Sequence, residues 1–196
     1  MKDMLVRLLE LPSGAELEQR LLEKEKIVVR RAIAPEKHLV SDWVLNEFGA
    51  YWKSEVEVAF SRQPVSCWIA QRGNAILGFA CYETTARGFF GPTGVGEDAR
   101  GTGIGKALLF KCLESLKELG HVYGVIGGVG PKEYYQKACG AVEIEHLIEV
   151  SSAWLALSEE QADVAESELR DFYETSLSNL EDLSFLFQPI LPDDEL

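Results

Sequence analysis

The chain has 196 residues, 46% of them hydrophobic, and a formal net charge of −13. That length is enough for one substantial buried core, and no apolar run approaches the length a bilayer requires. The acidity argues against nucleic acid or anionic membranes as partners. Met1 to Glu10 carries charges inside its apolar stretch and no small-residue cleavage site, so it reads as mature structure. Cys67, Cys81, Cys112 and Cys139 form no C-x-x-C pair and have no histidine at ligand spacing, which argues against a bound metal. Their apolar surroundings fit small core residues in a reducing cytoplasm.

In chain order, residues 1–11 fit either a short strand or a helix. Leu17, Leu21 and Leu22, set against Glu and Lys, predict a helix over 14–25. Ile27, Val28 and Val29 place the first strand of the main domain over 26–32. Pro35 opens a helix whose apolar face carries Leu39, Trp43, Val44 and Phe48, and Gly49 ends it. A second helix follows over about 50–61 with Trp52, Val56 and Phe60. Strands over 65–71 and 75–83 flank the turn Arg72-Gly73-Asn74 as a hairpin. The turn Ala86-Arg87-Gly88 leads into a strand ending at Val95. A helix runs from Thr102 or Gly103 to Leu119, closed by Gly120. Next come a strand over 122–129, a short helix opened by Pro131, and a strand over 141–149. Residues 151–157 fit a continuation of strand. An acidic helical pattern with Leu169, Phe172, Tyr173, Leu177, Leu180 and Leu183 covers 158–184, and residues 188–196 read as a poorly ordered end. The predicted class is α/β around a mixed sheet, divided into an extension over 1–25, a main domain over 26–150 and an acidic extension over 151–196.

The segment Arg100-Gly101-Thr102-Gly103-Ile104-Gly105-Lys106 joins the strand ending at Val95 to the long helix. Glycines let the backbone approach a ligand closely, and a helix N-terminus offers unpaired N–H groups and a positive dipole end. Together they suit a pyrophosphate, with Arg100 and Lys106 adding charge. A dinucleotide fingerprint fails: counted from Gly101 its third glycine falls on Lys106, and counted from Gly103 it falls on Leu108. The nucleotide P-loop fails as well, with Arg100 at the first glycine position and Ala107 where a hydroxyl should hold magnesium.

The spacing of Arg100, Gly103 and Gly105, with Val95 five residues earlier, resembles the pyrophosphate motif of the GNAT family of N-acetyltransferases. Glu97 stands where that family often has proline. Downstream, the segment from Gly130 to Ala141 resembles the family's fourth-helix region. The resemblance covers residues 26–150. It implies a mixed, mostly antiparallel central sheet flanked by helices. It also implies acetyl-CoA as co-substrate, held by main-chain amides of Gly101, Thr102, Gly103, Ile104, Gly105 and Lys106 together with Arg100. Amides near Val95 would pair with the pantetheine arm and the thioester oxygen. No metal is implied.

Acetyl transfer needs a deprotonated amine and a proton for the leaving thiolate. The resemblance gives the proton to Tyr135. The family's spacing from this tyrosine to the following glycine is one residue shorter than Tyr135 to Gly140, which keeps Tyr134 as the alternative. Glu83 and Glu97, with Asp98, are candidate bases, and a water chain is the alternative to all three. Trp43, Trp52 and Trp68 are candidates for an acceptor pocket or for core packing. Cys139 is read as packing rather than catalytic, and His121 as exposed. The expected function is N-acetyl transfer to a small-molecule amine or a protein amine in the cytoplasm, with an acyl-CoA-binding module lacking activity as the rival. The apolar stripe of the acidic helix leaves docking on its own domain or on a second copy, as a homodimer, open.

Overall fold

Among the described residues, seven strands build one sheet in the order β2-β3-β4-β5-β6-β1-β7. They are β1 (Met4–Arg7), β2 (Val28–Arg31), β3 (Cys67–Arg72), β4 (Ala75–Tyr82), β5 (Phe89–Val95), β6 (Tyr123–Ile126) and β7 (Val142–Glu143). The helices are α1 (Ala15–Glu25), α2 (Lys37–Phe48), α3 (Ala50–Ala59), α4 (Ile104–Glu118) and α5 (Lys132–Cys139). The computed structural model describes residues 3–144. The strand expected past Ile144, the acidic helix over 158–184 and the 188–196 end lie outside the described residues. Every strand pair is antiparallel except β5 with β6.

The first residues form a strand: Met4 to Arg7 pair with Ile126 to Tyr123, and Met4 and Leu5 pair with Glu143 and Val142 on the other side. A 3₁₀ turn over Leu8–Glu10 follows. The alternation Met4, Val6, Leu8 explains this, because all three side chains are fully buried on one face. Of the α1 leucines, Leu21 is buried while Leu22 is exposed. The strand expected over 122–129 is confined to Tyr123–Ile126, and Gly127, Gly128 and Gly130 follow it outside the ladder.

Two apolar layers sandwich the sheet. On one face α2 and α3 bury Val40, Val44, Val56 and Ala59 against Ile69, Phe79 and Cys81. The rings of Trp43, Phe48 and Trp52 surround Phe79 at centroid distances of 6.1, 5.8 and 6.1 Å. On the other face α4 buries Ile104, Leu108, Leu109, Leu113 and Leu116 with Met4, Val6 and Phe90. All four cysteines are free and buried. The polar centre of that layer is Arg31. Its guanidinium lies 4.7 Å over the Trp68 ring and donates to the Val65 carbonyl at 2.8 Å and to the Tyr82 hydroxyl. Ser115 joins this network through Trp68 Nε1 at 3.1 Å, so the buried polar atoms there are satisfied.

Candidate active site

Where β5 and β6 run parallel they pair at only two positions, Phe89 with Val125 and Phe90 with Ile126. Past Phe90 the two strands separate. The Gly96 amide donates to the Leu77 carbonyl at 2.9 Å. Antiparallel alternation then places Gly94 in a hydrogen-bonded pair with Phe79 and turns the N–H and C=O of Thr93 and Val95 away from β4, toward the gap. The β5 edge therefore offers main-chain groups on a side where, among the described residues, no strand lies beside it.

The loop after β5 ends at the N-terminus of α4. Gly101 has φ +78° and Gly103, the N-cap, has φ +101°, both conformations that favour glycine. Among the described residues the amides of Gly101, Thr102, Gly103, Ile104 and Gly105 have no acceptor, whereas the Lys106 amide donates to the Gly103 carbonyl at 3.1 Å and the Arg100 amide to the Glu97 carbonyl at 3.2 Å. Five consecutive unpaired N–H groups at the positive end of a helix form an anion cradle. A Cβ built on Gly101 meets nothing within 4 Å, and one on Gly105 lies 3.6 Å from Val95 Cγ2 and 3.8 Å from the Tyr134 hydroxyl. The Arg100 side chain is folded back, with Nε donating to the Val95 carbonyl at 3.3 Å. The Lys106 ammonium lies 5.4 Å over the Phe110 ring.

One contributor to this loop was not foreseen. Arg20, on α1, donates from Nη2 to the Thr102 carbonyl at 3.1 Å, and that nitrogen lies 2.8 Å from where a Gly103 Cβ would stand. A contact across 82 residues leaves no local signal in the chain. Its trace is only an arginine on the same helix as Leu17 and Leu21, which pack toward α4.

A cavity of about 690 Å³ occupies the gap between β5 and β6. Tyr135 lines it, with its ring 6.4 Å from Phe90. Tyr134 stacks edge-on against Tyr135 at 5.0 Å and directs its hydroxyl toward Gly105. Both hydroxyls lack a hydrogen-bond partner among the described residues. Burial pushes the Tyr134 phenol up to about 12, and burial with the neighbouring Cys139 raises Tyr135 as well. Burial also pushes the Cys139 thiol up to about 11, and Sγ donates to the Tyr135 carbonyl at 3.2 Å. That thiol stays protonated and packs.

The other sequence candidates scatter. Glu83 sits at the far end of β4 with φ +59°, and its Oε1 accepts the Gly88 amide at 2.7 Å and stands 2.9 Å from His121 Nε2. His121 is thus a half-buried partner of that carboxylate, not an exposed side chain. Glu97 and Asp98 are exposed in the 3₁₀ turn after β5, and neither lines the cavity. Trp52 lines the cavity, Trp43 packs on Phe79, and Trp68 lies on the opposite face with Arg31. A second cavity of about 660 Å³ lies between α2 and the β3–β4 hairpin, but Arg30 there is spent on Glu36 in a two-pronged ion pair.

A family model described as the acetyltransferase (GNAT) family matches residues 34–141, more than half of the 196 residues. The chain belongs to the GNAT acetyltransferase family. Among solved structures this GNAT chain is similar to the GCN5-related glucosamine N-acetyltransferase region of a fungal multi-domain GH3 β-N-acetylglucosaminidase, at 17% identity and a TM-score of 0.61 over 73% of this chain and 19% of that one. It is also similar to a GCN5-related N-acetyltransferase from Sphaerobacter thermophilus, at 19% identity and a TM-score of 0.58 over 73% of this chain and 48% of that one. At such identities the likeness is one of fold, and this chain spans under half of either protein. No curated protein matches the sequence. The mixed, mostly antiparallel sheet flanked by helices is the GNAT architecture of these neighbours. Among the described residues no helix is long and apolar enough to cross a membrane, and no group of three or more His, Cys, Asp or Glu side chains is placed to hold a metal ion.

Proposed function

We propose that this GNAT chain is an N-acetyltransferase that moves an acetyl group from acetyl-CoA directly to an amine. The observation that carries this is the run of five unpaired amides at the N-terminus of α4, which opens beside the gap between β5 and β6. The amides of Gly101 to Gly105 hold the pyrophosphate, and Arg100, Arg20 and Lys106 surround it with positive charge. The outward N–H groups of Thr93 and Val95 guide the pantetheine arm along β5 and polarise the thioester carbonyl.

Acetyl-CoA supplies the thioester: a C–N bond to the acceptor forms while the C–S bond breaks. Tyr135 is the donor for the departing sulfur, because it lines the gap and its raised pKa keeps the phenol protonated. The surplus proton on the nitrogen leaves to water, and the phenol regains a proton from the same solvent, which balances the step. Glu83 is given no part, since it does not line the cavity and its Oε1 is held by the Gly88 amide and His121.

The discriminating experiment is Gly105→Glu. Gly105 is helical and its Cβ contacts are ordinary, so the fold tolerates the change while a carboxylate enters the anion cradle. Calorimetry should show CoA binding lost with the unfolding midpoint near the wild-type value. Unchanged affinity would remove the cradle and the enzyme assignment with it. Gly103→Glu is the poorer probe, because a side chain there meets Arg20 and a φ of +101°. If CoA binds but no amine is ever acetylated, the chain is an acyl-CoA-binding module.

A further inference from the structure

On the footing of the acetyl-transfer assignment above, we infer that the acceptor is an aliphatic di- or oligoamine without a carboxylate, held by Glu55 and Asp3 at the gap between β5 and β6. The two carboxylates come from different elements. Glu55 projects from α3, and its Oε1 accepts the Thr85 hydroxyl at 2.6 Å. Asp3 precedes β1, and its Oδ1 accepts the Gly128 amide just past β6 at 3.0 Å. Both line the 690 Å³ cavity, together with Trp52, Phe89, Phe90 and Tyr135. In each carboxylate the second oxygen, Oε2 of Glu55 and Oδ2 of Asp3, has no partner among the described residues. Each group is therefore oriented by one hydrogen bond and left with a free acceptor.

The chemistry of the walls narrows the ligand. Aromatic faces attract cations, and a carboxylate in a partly dry site favours an ammonium. No lysine, arginine or histidine lines the cavity among the described residues, so an amino acid's α-carboxylate or a sugar phosphate would enter with no counter-charge and two repelling carboxylates. The reacting nitrogen must shed its proton before attack, so it cannot also supply the lasting ionic anchor. A second ammonium on the same molecule can. The positions of the two elements fit this, since α3 covers the sheet from the face opposite α4 and α5, leaving the acceptor one side of the gap and the cofactor the other.

The inference is tested with full-length protein, acetyl-CoA and three acceptors of matched length: 1,4-diaminobutane, butylamine and 2,4-diaminobutyrate. We expect kcat/KM for the diamine to exceed the other two by at least about tenfold. We expect Glu55→Gln and Asp3→Asn each to raise the diamine KM several-fold, with butylamine turnover and CoA affinity close to wild type. Equal use of all three acceptors, preference for the carboxylate-bearing one, or a Glu55→Gln effect of equal size on butylamine would each overturn the inference. CoA binding measured on the same samples separates the two levels. Tight CoA binding without diamine preference sinks the acceptor class alone, whereas absent CoA binding sinks the acetyltransferase assignment. Direct calorimetric titration of the diamine onto the CoA complex keeps the pocket testable even without turnover, and no saturable binding there counts against it.

Discussion

At the residue scale the two tyrosines divide the space around the gap. Tyr135 looks into the cavity between the strands, and Tyr134 looks back toward Gly105. Tyr135→Phe should lower kcat by roughly 10² or more, the size of a lost general acid, while changing CoA affinity little. Tyr134→Phe should do the reverse, and single-turnover rates beside calorimetry distinguish the outcomes. Both phenols are raised above the ordinary value, so they stay protonated through neutral pH, and the alkaline limb of the kcat profile that reports loss of the donor should lie above pH 10, disappearing in Tyr135→Phe. The turn that opens α4 was legible in the chain because glycine at Gly101 and Gly103 answers a local need for positive φ. The commitment of Glu83 was not legible, because its partners Gly88 and His121 meet it through a turn and through a strand order that spacing does not encode.

At the scale of elements, α1 works as a brace on the loop. Its first turn packs Gly14 against Phe110, at 3.1 Å from a built Cβ, and its middle presents Arg20 to the Thr102 carbonyl. Arg20→Ala should weaken CoA binding by roughly fivefold, about 1 kcal/mol, with the unfolding midpoint nearly unchanged and a shallower salt dependence of affinity. A purely structural role would instead move the midpoint and leave the salt dependence alone. The α2–α3 layer depends on its aromatic cluster. Phe79→Ala empties the ring site between Trp43, Phe48 and Trp52 and should cost about 3–5 kcal/mol in denaturant unfolding. That layer also packs closely on β5, since a Cβ on Gly94 would stand 2.5 Å from Phe48 Cζ. The spans of α2 to α4 were readable from their apolar spacing, although α2 turns Leu39 outward and buries Val40 in its place. The end of β6 was not, because the departure of residues 127–130 from the ladder is set by where β5 stops pairing.

At the scale of the whole molecule, the N-terminal strand is part of the sheet. It lies between β6 and β7, and Met4, Val6 and Leu8 are fully buried beneath α4. Burying three such side chains contributes roughly 5–9 kcal/mol, which is comparable to the stability of an ordinary domain. Deleting residues 1–10 should therefore abolish cooperative unfolding and CoA binding together, as followed by circular dichroism and calorimetry. The same segment carries Asp3 to the cavity, so the residues that complete the sheet also line the gap between β5 and β6. The global charge of −13 says little about the loop between β5 and α4, where Arg20, Arg100 and Lys106 gather beside amides that have no acceptor among the described residues.

By itself the chain's sequence determined the order of helices and strands from Ala15 to Cys139 and the glycine-rich turn that opens α4. These follow from short-range demands: apolar spacing, helix ends, and backbone conformations open to glycine. Only the tertiary structure decided that Met4–Arg7 fills the sheet, that Arg20 braces the loop, that Glu83 is occupied, and that Asp3 and Glu55 share one cavity. Those facts depend on contacts between distant segments, whose energy is realised only when the strands have taken their places.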